Sequence, residues 1–344
     1  MNRRHFLAAS AATTALAATA SASTRASEEL KVIVPALKPE ELADLKAVAP
    51  AVLLVECKSE EEAIRHVVDA HASYGFLSQA VIRAGKSLRW VQQPSAGVEH
   101  LVEMPELLES HIILTNMQRA YGPEIADQAL GYLLCFTRSL AHFVQTRSSQ
   151  EWQPRGPGIV LDELAGKTLL VIALGGIGTE IARRAAGFGM RVLATDPKVL
   201  ERPPFVEELH RPDALASLLP RADVIASAVP LTKETKKMLG AKQFAMMKPG
   251  VILLNVSRGG VVDTQVLVEA LDSKQVAAAG LDVTDPEPLP KGHPLWSRNV
   301  IITPHSAGQS PGGERRRHEY FRENLRRFAA GLMLLNIVDK KAGY

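Results

Sequence analysis

Cysteine is nearly absent from this sequence, with two residues, Cys57 and Cys135, among 344. Both lie inside apolar periodic segments, which favours buried free thiols, with one disulfide between them as the alternative. Neither cysteine stands at a spacing typical of zinc ligands, so we expect no metal site.

Long apolar runs are also missing after the N-terminal stretch. None is long enough to cross a bilayer, which takes about 20 apolar residues, so we expect no stable membrane anchor. The composition, 46% apolar and 22% charged, is typical of a soluble globular protein. The chain is long enough for two domains of ordinary size.

A strong charge of one sign is lacking as well, because the formal net charge is only +3. Several arginines lie together in ERRRHEYFRENLRR near the C-terminus, where they alternate with Glu314, Glu319 and Glu323 at helical spacing. This alternation favours a solvated amphipathic helix over a nucleic-acid-binding patch. We therefore expect no nucleic-acid partner.

The first residues, MNRRHFLAAS, have the composition of an export signal. A short basic start is followed by an uncharged stretch rich in Ala, Ser and Thr, with small residues at 20–22, which is typical of a cleavable signal peptide. The pair Arg3-Arg4 followed by Phe6-Leu7 resembles the twin-arginine type. We expect residues 1–26 to be this signal, with the twin-arginine export machinery as partner and a periplasmic location. The alternative is an Ala-rich tail with two chance arginines.

Short apolar runs alternate with helical stretches from residue 30 onward. The strand-like runs are LKVIV, AVLLV, LRWVQQ and HIILTN, and a helix is expected to begin after Ser59. Strands that alternate with helices predict a parallel sheet with helices on both faces. The pattern breaks at 119–123, and one long helix is expected from Glu124 through IADQALGYLLCFTRSLAHFVQ.

A second alternating series follows, with strand-like runs TLLVIA, RVLAT, ADVIASAVP, GVILLNVS, AAAGLDV and NVIITPH. The fold expected is α/β, with two Rossmann-like, doubly wound parallel-sheet domains. The last helix, 314–330, is expected to return to the first domain, so that the nucleotide-binding domain is inserted into the substrate domain. The expected boundaries are 27–122 and 307–344 for the substrate domain and 123–306 for the nucleotide-binding domain.

The segment TLLVIALGGIGTEIARRAAGF predicts a dinucleotide-binding turn between a strand and a helix. Gly175 would let the backbone approach a pyrophosphate, Gly178 would allow close helix–strand packing, and the N–H groups of Gly176 and Ile177 would point at the phosphates. Ala173 replaces the first glycine of the usual pattern, so we expect an ordinary φ at this position.

An acid, Asp196, closes the second strand of this unit. Its carboxylate would accept hydrogen bonds from the adenosine ribose and repel a 2′-phosphate, which favours NAD over NADP. Lys198 nearby keeps NADP open as the alternative.

Several motifs together resemble those of the D-isomer-specific 2-hydroxyacid dehydrogenases: ALGGIG with Asp196, SAVPLTKETKKML, LLNVSRGGVVD, GLDVTDPEPLP and VIITPHSAG. The resemblance covers nearly all of the chain after the signal. It implies that Arg258, Glu287 and His305 act together in catalysis. It also implies that the loop containing Ser95, Ala96 and Gly97 presents backbone N–H groups to the substrate carboxylate, together with Arg258.

The chemistry explains why these residue types are wanted. Reduction of a 2-oxo acid needs a hydride on carbon and a proton on oxygen, and His305 is suited to give the proton near neutral pH. Glu287, hydrogen-bonded to the other ring nitrogen, would favour the imidazolium form. Arg258 offers a planar fork to a carboxylate.

By the same resemblance, further residues would border the cofactor; simple strand-end packing is the alternative for them. They are Val229, Pro230, Val256, Ser257, Asp282, Gly308 and His305 itself. Asp127 stands where the family's helix pattern has Glu, a departure expected to affect helix packing. The helix over 124–145 suggests a homodimer, by likeness to the family alone.

The sequence therefore predicts an exported NAD-dependent oxidoreductase that interconverts a small 2-oxo acid and a D-2-hydroxy acid. Two alternatives remain: an enzyme with permanently bound nicotinamide that shuttles hydride between two substrates, and a non-catalytic NAD(H)-sensing module. Glyoxylate, hydroxypyruvate and larger 2-oxo acids are all open as substrates.

Overall fold

Two parallel β-sheets organise the chain. The computed structural model describes residues 29–150, 152, 155–156, 158–198 and 201–344, so the expected signal peptide lies outside the described residues. The first sheet has the order β2-β1-β3-β4-β5 and the second the order β12-β11-β10-β9-β6-β7-β8. The strands are β1 (Leu30–Pro35), β2 (Val52–Cys57), β3 (Ala72–Tyr74), β4 (Trp90–Gln92), β5 (Ile113–Thr115), β6 (Thr168–Ile172), β7 (Arg191–Thr195), β8 (Glu208–His210), β9 (Val224–Ser227), β10 (Val251–Asn255), β11 (Val276–Leu281) and β12 (Val300–Ile302).

Helices connect these strands and cover both sheets. They are α1 (Pro39–Val48), α2 (Glu60–His66), α3 (Gln79–Ala84), α4 (Glu99–Val102), α5 (Pro105–Leu108), α6 (Gly122–Thr137), α7 (Leu140–Thr146), α8 (Gly176–Gly187), α9 (Leu215–Leu218), α10 (Ala241–Met246), α11 (Thr264–Asp272) and α12 (Pro311–Ala329). The side chain of Ser59 accepts a hydrogen bond from the Glu62 N–H, which confirms the expected start of α2. The α/β fold with two parallel-sheet units is confirmed.

The strands were predictable where they are apolar throughout. Every residue of β6 is buried, as expected for a central strand of a parallel sheet covered on both faces. The sequence did not predict β3 and β8, whose residues are Ala-Ser-Tyr and Glu-Leu-His. The equally short strands β4, β5 and β12 lie in longer apolar runs, by which a strand is recognised, whereas β3 and β8 do not.

The single long helix expected from Glu124 is wrong, because the chain breaks at Ser139 between α6 and α7. Ser139 has a φ of 51°, and its hydroxyl both donates to the Val160 carbonyl (2.8 Å) and accepts from the Val160 N–H (2.7 Å). A left-handed residue cannot continue an α-helix. The break lets the segment at 160–162 dock on the end of α6.

The last helix, α12, packs on the first sheet, as expected. Its Phe321 is buried and stacks on Tyr74 with ring centroids 4.1 Å apart. Asn324 donates to the Gln92 side chain (3.0 Å), which ties the helix to β4. Several of its arginines form ion pairs with acids, such as Arg326 with Glu323 at 2.8 Å, as a solvated helix requires. The exact domain boundaries stay predictions.

Both cysteines are free thiols, but only Cys57 is buried as expected, whereas Cys135 is half-buried. Cys57 is buried, and this burial raises the pKa of its thiol. Among the described residues, no helix combines the length and apolarity needed to span a membrane. The same residues contain no cluster of potential metal ligands.

Candidate active site

A tight turn joins β6 to α8 at the carboxyl edge of the second sheet. Ala173 begins it with a φ of 72°, so the expectation of an ordinary φ at this position is wrong. The Ala173 N–H donates to the Thr195 carbonyl of β7 (2.9 Å). Ala173 therefore makes the last hydrogen bond to the neighbouring strand and also begins the turn. This conformation costs an L-residue about 1–2 kcal/mol.

Two glycines of this turn are required by close packing. A Cβ on Gly178 would lie 2.0 Å from the Ala173 carbonyl oxygen, so α8 could not approach β6 with any other residue there. A Cβ on Gly176 would lie 2.6 Å from the Gln118 carbonyl oxygen. Gly176 therefore also lets the segment before α6 cross over the start of α8, a contact that sequence analysis did not foresee.

The N-terminus of α8 is suited to bind an anion. Its first helical hydrogen bond runs from the Thr179 N–H to the Gly175 carbonyl (2.9 Å). The N–H groups of Gly176 and Ile177 precede this bond, and such groups have no partner inside a helix. A Cβ on Gly175 would meet no atom within 4 Å, so the turn is open on this side.

Asp196 ties this turn to the end of β7. One carboxylate oxygen accepts from the Leu174 N–H (2.8 Å) and the other from the Lys198 N–H (2.7 Å). A carboxylate has about four acceptor sites, so capacity remains for ribose hydroxyls. The Lys198 ammonium lies 4.6 Å from the centroid of the Tyr344 ring.

Four other expected cofactor residues lie at the ends of β9 and β10. Val229 and Val256 are buried in the apolar core of the second sheet, and Ser257 donates its hydroxyl to Asn255 (2.8 Å). Pro230 is half-buried, and its carbonyl accepts from the Thr235 hydroxyl (2.6 Å). These residues shape the edge of the cleft through their backbone.

Asp282, at the end of β11, is buried and holds the loop that contains His305. Its carboxylate accepts from the N–H groups of Ser306 (3.0 Å) and Ala307 (3.1 Å) and from the Thr303 hydroxyl (2.5 Å). Thr303 is in turn hydrogen-bonded to Tyr132 of α6. Burial raises the pKa of the Tyr132 phenol.

His305 and Glu287 are in direct contact. The His305 Nδ1 lies 2.7 Å from a Glu287 carboxylate oxygen, and both side chains are nearly half exposed. His305 has a φ of 51°, and its N–H donates to the Asp282 carbonyl (2.8 Å). The contact at Nδ1 leaves Nε2 as the ring nitrogen that can exchange a proton with a substrate. The neighbouring Gly308 packs on Tyr121, which a Cβ would approach to 2.9 Å.

Arg258 packs against Gly97 in the loop of Ser95, Ala96 and Gly97. A Cβ on Gly97 would lie 1.8 Å from the Arg258 Nη2, so only glycine permits this approach. The Arg258 Nη1 donates to the Ser257 carbonyl (2.7 Å). Its Nε is 2.8 Å from a Glu99 carboxylate oxygen, an ion pair that sequence analysis missed.

The loop at 95–97 turns its carbonyl groups into the first domain. The Met117 N–H donates to the Ser95 carbonyl (3.0 Å) and Asn116 to the Ala96 carbonyl (2.7 Å). Gln93 donates to the Gly97 carbonyl (3.1 Å). In a trans peptide the N–H points opposite to the carbonyl, so the N–H groups after Ser95 and Ala96 point away from this packing.

The structure pairs His305 with Glu287, packs Arg258 against Gly97 and joins Asp196 to the turn before α8. Missed were Gln93 and Asn116, which follow β4 and β5 and fix the loop, as well as Glu99. Polar residues directly after buried strands were the available signal for the first two. Glu99 could not be recognised from the sequence, because its partner, Arg258, lies in the other domain.

Comparison with known proteins places this geometry in a family. Residues 130–307 match the model of the D-isomer specific 2-hydroxyacid dehydrogenase NAD binding domain. The chain is 34% identical to a glyoxylate reductase of Korarchaeum cryptofilum, over 82% of this chain and 87% of that protein. It is also 31% identical to a D-3-phosphoglycerate dehydrogenase of Methanocaldococcus jannaschii. That match covers 82% of this chain but only 54% of the relative.

Among solved structures, the fold is similar to a D-isomer specific 2-hydroxyacid dehydrogenase family protein from Aeromonas salmonicida. The TM-score is 0.78 at 29% identity, and the match covers 91% of this chain and 100% of that one. The likeness therefore extends over both sheets and the cleft between them.

Proposed function

We propose roles for the residues of the cleft, starting from the fact that the chain belongs to the D-isomer-specific 2-hydroxyacid dehydrogenase family. The protein is an oxidoreductase that interconverts a 2-oxo acid and a 2-hydroxy acid with a nicotinamide cofactor. The observation on which our proposal rests is the 2.7 Å contact between His305 Nδ1 and a Glu287 carboxylate oxygen.

His305 acts as the general acid in reduction. When bound, the reduced nicotinamide supplies the hydride that adds to the carbonyl carbon of the 2-oxo acid. The carbonyl oxygen takes its proton from Nε2 of His305, and the product is the D-2-hydroxy acid. Glu287 stabilises the protonated ring through Nδ1 and fixes which nitrogen faces the substrate.

Arg258 and the loop at 95–97 hold the substrate carboxylate. The guanidinium provides a charged fork, and the N–H groups of Ala96 and Gly97, oriented by Gln93 and Asn116, add neutral donors. Because Arg258 belongs to one domain and the loop to the other, substrate bound between them joins the two domains.

The turn from Ala173 to Gly178 binds the pyrophosphate at the start of α8, and Asp196 binds the adenosine ribose. Two backbone N–H groups donate to the Asp196 carboxylate, which fixes its position for a bound ribose. This negative charge disfavours a 2′-phosphate, so NAD is the preferred cofactor and NADP the weaker one. Asp282 supports the nicotinamide end by holding the loop of His305.

The chain forms a homodimer around α7. Phe143 and Val144 of this helix are exposed, as are Trp152 and Val160 in the segment that follows. A second copy would cover these apolar side chains, since soluble monomers rarely expose such a group together. Light scattering tests this, with Val144→Glu expected to give a monomer.

Residues 1–26 are a twin-arginine signal, and the mature protein is periplasmic. The support is the sequence Arg3-Arg4 with Phe6-Leu7 and the uncharged stretch after it. This route suits a protein that needs a cofactor, because it transports folded cargo. Fractionation of cells that express the wild type and an Arg3-Arg4→Lys-Lys variant tests the route, with the variant expected to stay in the cytoplasm.

The domain boundaries that we propose are 27–122 and 307–344 for the substrate domain and 123–306 for the nucleotide-binding domain.

Oxidation of NADH in the presence of a panel of 2-oxo acids tests the reaction. Glyoxylate, hydroxypyruvate and larger 2-oxo acids are compared, with steady turnover of at least one expected. Tight NADH binding without turnover of any acid would favour a sensing module. Turnover that requires two acids and no free NADH would favour a permanently bound nicotinamide.

A further inference from the structure

Glu99 and Arg258 form an ion pair that crosses the cleft between the two domains. Glu99 is the first residue of α4, next to the first sheet, whereas Arg258 follows β10 of the second sheet. Their side chains are only 26% and 28% exposed. The pair is therefore shielded from water more than most surface ion pairs, which contribute little.

The ion pair with Glu99 determines which edge of the Arg258 guanidinium can bind a substrate. Of the five N–H groups of Arg258, the one on Nε lies against Glu99 and one on Nη1 donates to the Ser257 carbonyl. Three N–H groups remain, on Nη1 and Nη2. This is the edge beside Gly97, so a carboxylate bound there would also meet the N–H groups of the loop.

Glu99 and Arg258 also share the space next to Gly97. A Cβ on Gly97 would lie 1.8 Å from the Arg258 Nη2 and 2.7 Å from the second Glu99 oxygen. Both charged groups thus pack on the bare Cα of the loop that presents the backbone donors. The loop, the acid and the guanidinium form one unit.

We propose that Glu99 is a positioning residue that holds Arg258 with its Nη edge toward the substrate carboxylate. The proposal rests on the proposed function of Arg258. An arginine side chain has several rotatable bonds, and without Glu99 its described fixed partner is one carbonyl, that of Ser257. Glu99 restricts the Arg258 side chain before substrate binds, so that less side-chain conformational entropy is lost on binding.

An acidic residue at the start of a short helix also has a purely structural explanation. Negative charge is favourable in the first helical turn, and α4 would gain from Glu99 without any role for Arg258. The two explanations differ in what the substitution of Glu99 changes. A structural role alters folding and cofactor binding, whereas a positioning role alters substrate binding alone.

Steady-state kinetics of Glu99→Ala test the proposal, with the best 2-oxo acid of the panel as substrate. We expect KM to rise about 10- to 30-fold, which corresponds to about 1.4–2 kcal/mol and to the rotamer freedom of one arginine side chain. The value of kcat and the Kd of NADH should change less than about threefold. Glu99→Gln keeps an acceptor oxygen near Nε and should restore part of the loss. Glu103→Ala, at the C-cap of the same helix, is the control and should leave KM unchanged.

A double-substitution cycle shows whether Glu99 acts through Arg258. In an Arg258→Lys background, which lacks the Nε edge, Glu99→Ala should change kcat/KM less than about twofold, because interacting residues are not additive. An unchanged or lowered KM in Glu99→Ala would overturn the proposal. It would also be overturned if Glu99→Ala lowered kcat/KM as much in the Arg258→Lys background as in the wild type, or if it weakened NADH binding as much as substrate binding. Wild-type inactivity toward every acid would instead contradict the proposed function.

Discussion

Replacement of Ala173 by glycine should leave the protein as stable as the wild type or slightly more stable. Glycine in place of alanine normally lowers stability by about 1 kcal/mol, because the unfolded chain gains freedom. At Ala173 the φ of 72° stores about 1–2 kcal/mol that glycine does not incur. The net change is therefore about 0 to 1 kcal/mol in favour of the variant.

Ala186 provides a matched control for this substitution. Both alanines are partly buried and pack against the core of the second sheet, but Ala186 lies inside α8. Ala186→Gly should lower the free energy of unfolding by up to about 1 kcal/mol. The difference between the two variants, about 1–2 kcal/mol, measures the strain at Ala173.

Urea denaturation of wild type and both variants, followed by tryptophan fluorescence and without added cofactor, gives these differences. Ala173→Val should be less stable than wild type, since a β-branched residue is poorly accommodated at positive φ. Equal losses in Ala173→Gly and Ala186→Gly would refute the argument that the turn is strained. NADH binding by Ala173→Gly should equal that of wild type, because the turn keeps its shape.

Three further substitutions concern the chemistry. His305→Ala should lower kcat by about 10²–10⁴-fold and leave the Kd of NADH nearly unchanged; a fully active variant would exclude His305 as the acid. Glu287→Gln should lower kcat and leave the Kd of NADH nearly unchanged, because the His305 ring loses its carboxylate partner at Nδ1; an unchanged kcat would show that Glu287 is not its partner. Asp196→Ala should weaken NADH binding and narrow the difference between NADH and NADPH, measured as the ratio of their kcat/KM values; a wild type that already prefers NADPH would contradict the role of Asp196.

Local motifs allowed most of the site to be predicted from the sequence. Arg258, His305 and Asp196 each follow an apolar strand, and the carboxyl ends of parallel strands meet at one edge of a sheet. Strand recognition alone therefore places these residues along the same edge of the sheet. The short strands β3 and β8 escaped prediction because, unlike the equally short β4, β5 and β12, they do not lie in an apolar run.

The conformation of Ala173 shows a different limit. The residue type indicates an ordinary φ, since alanine avoids the left-handed region. The structure has φ of 72° because two tertiary demands meet at this residue: its N–H completes the hydrogen bonds to β7, and its carbonyl must lie against Gly178. The preference of alanine for negative φ, about 1–2 kcal/mol, is smaller than the energy gained from these tertiary contacts.

Glu287 was predicted as the partner of His305, whereas Glu99, the partner of Arg258, was not, because the two residues belong to different sheets. Glu99 and Arg258 meet only when both sheets have formed. Asp282 was expected beside the cofactor, but its hydrogen bonds to the Ser306 and Ala307 N–H groups exist only in the folded loop. A motif specifies the residue that reacts, because chemistry restricts its type. The residue that positions it can come from any segment that reaches the same point, so the three-dimensional fold is needed to identify it.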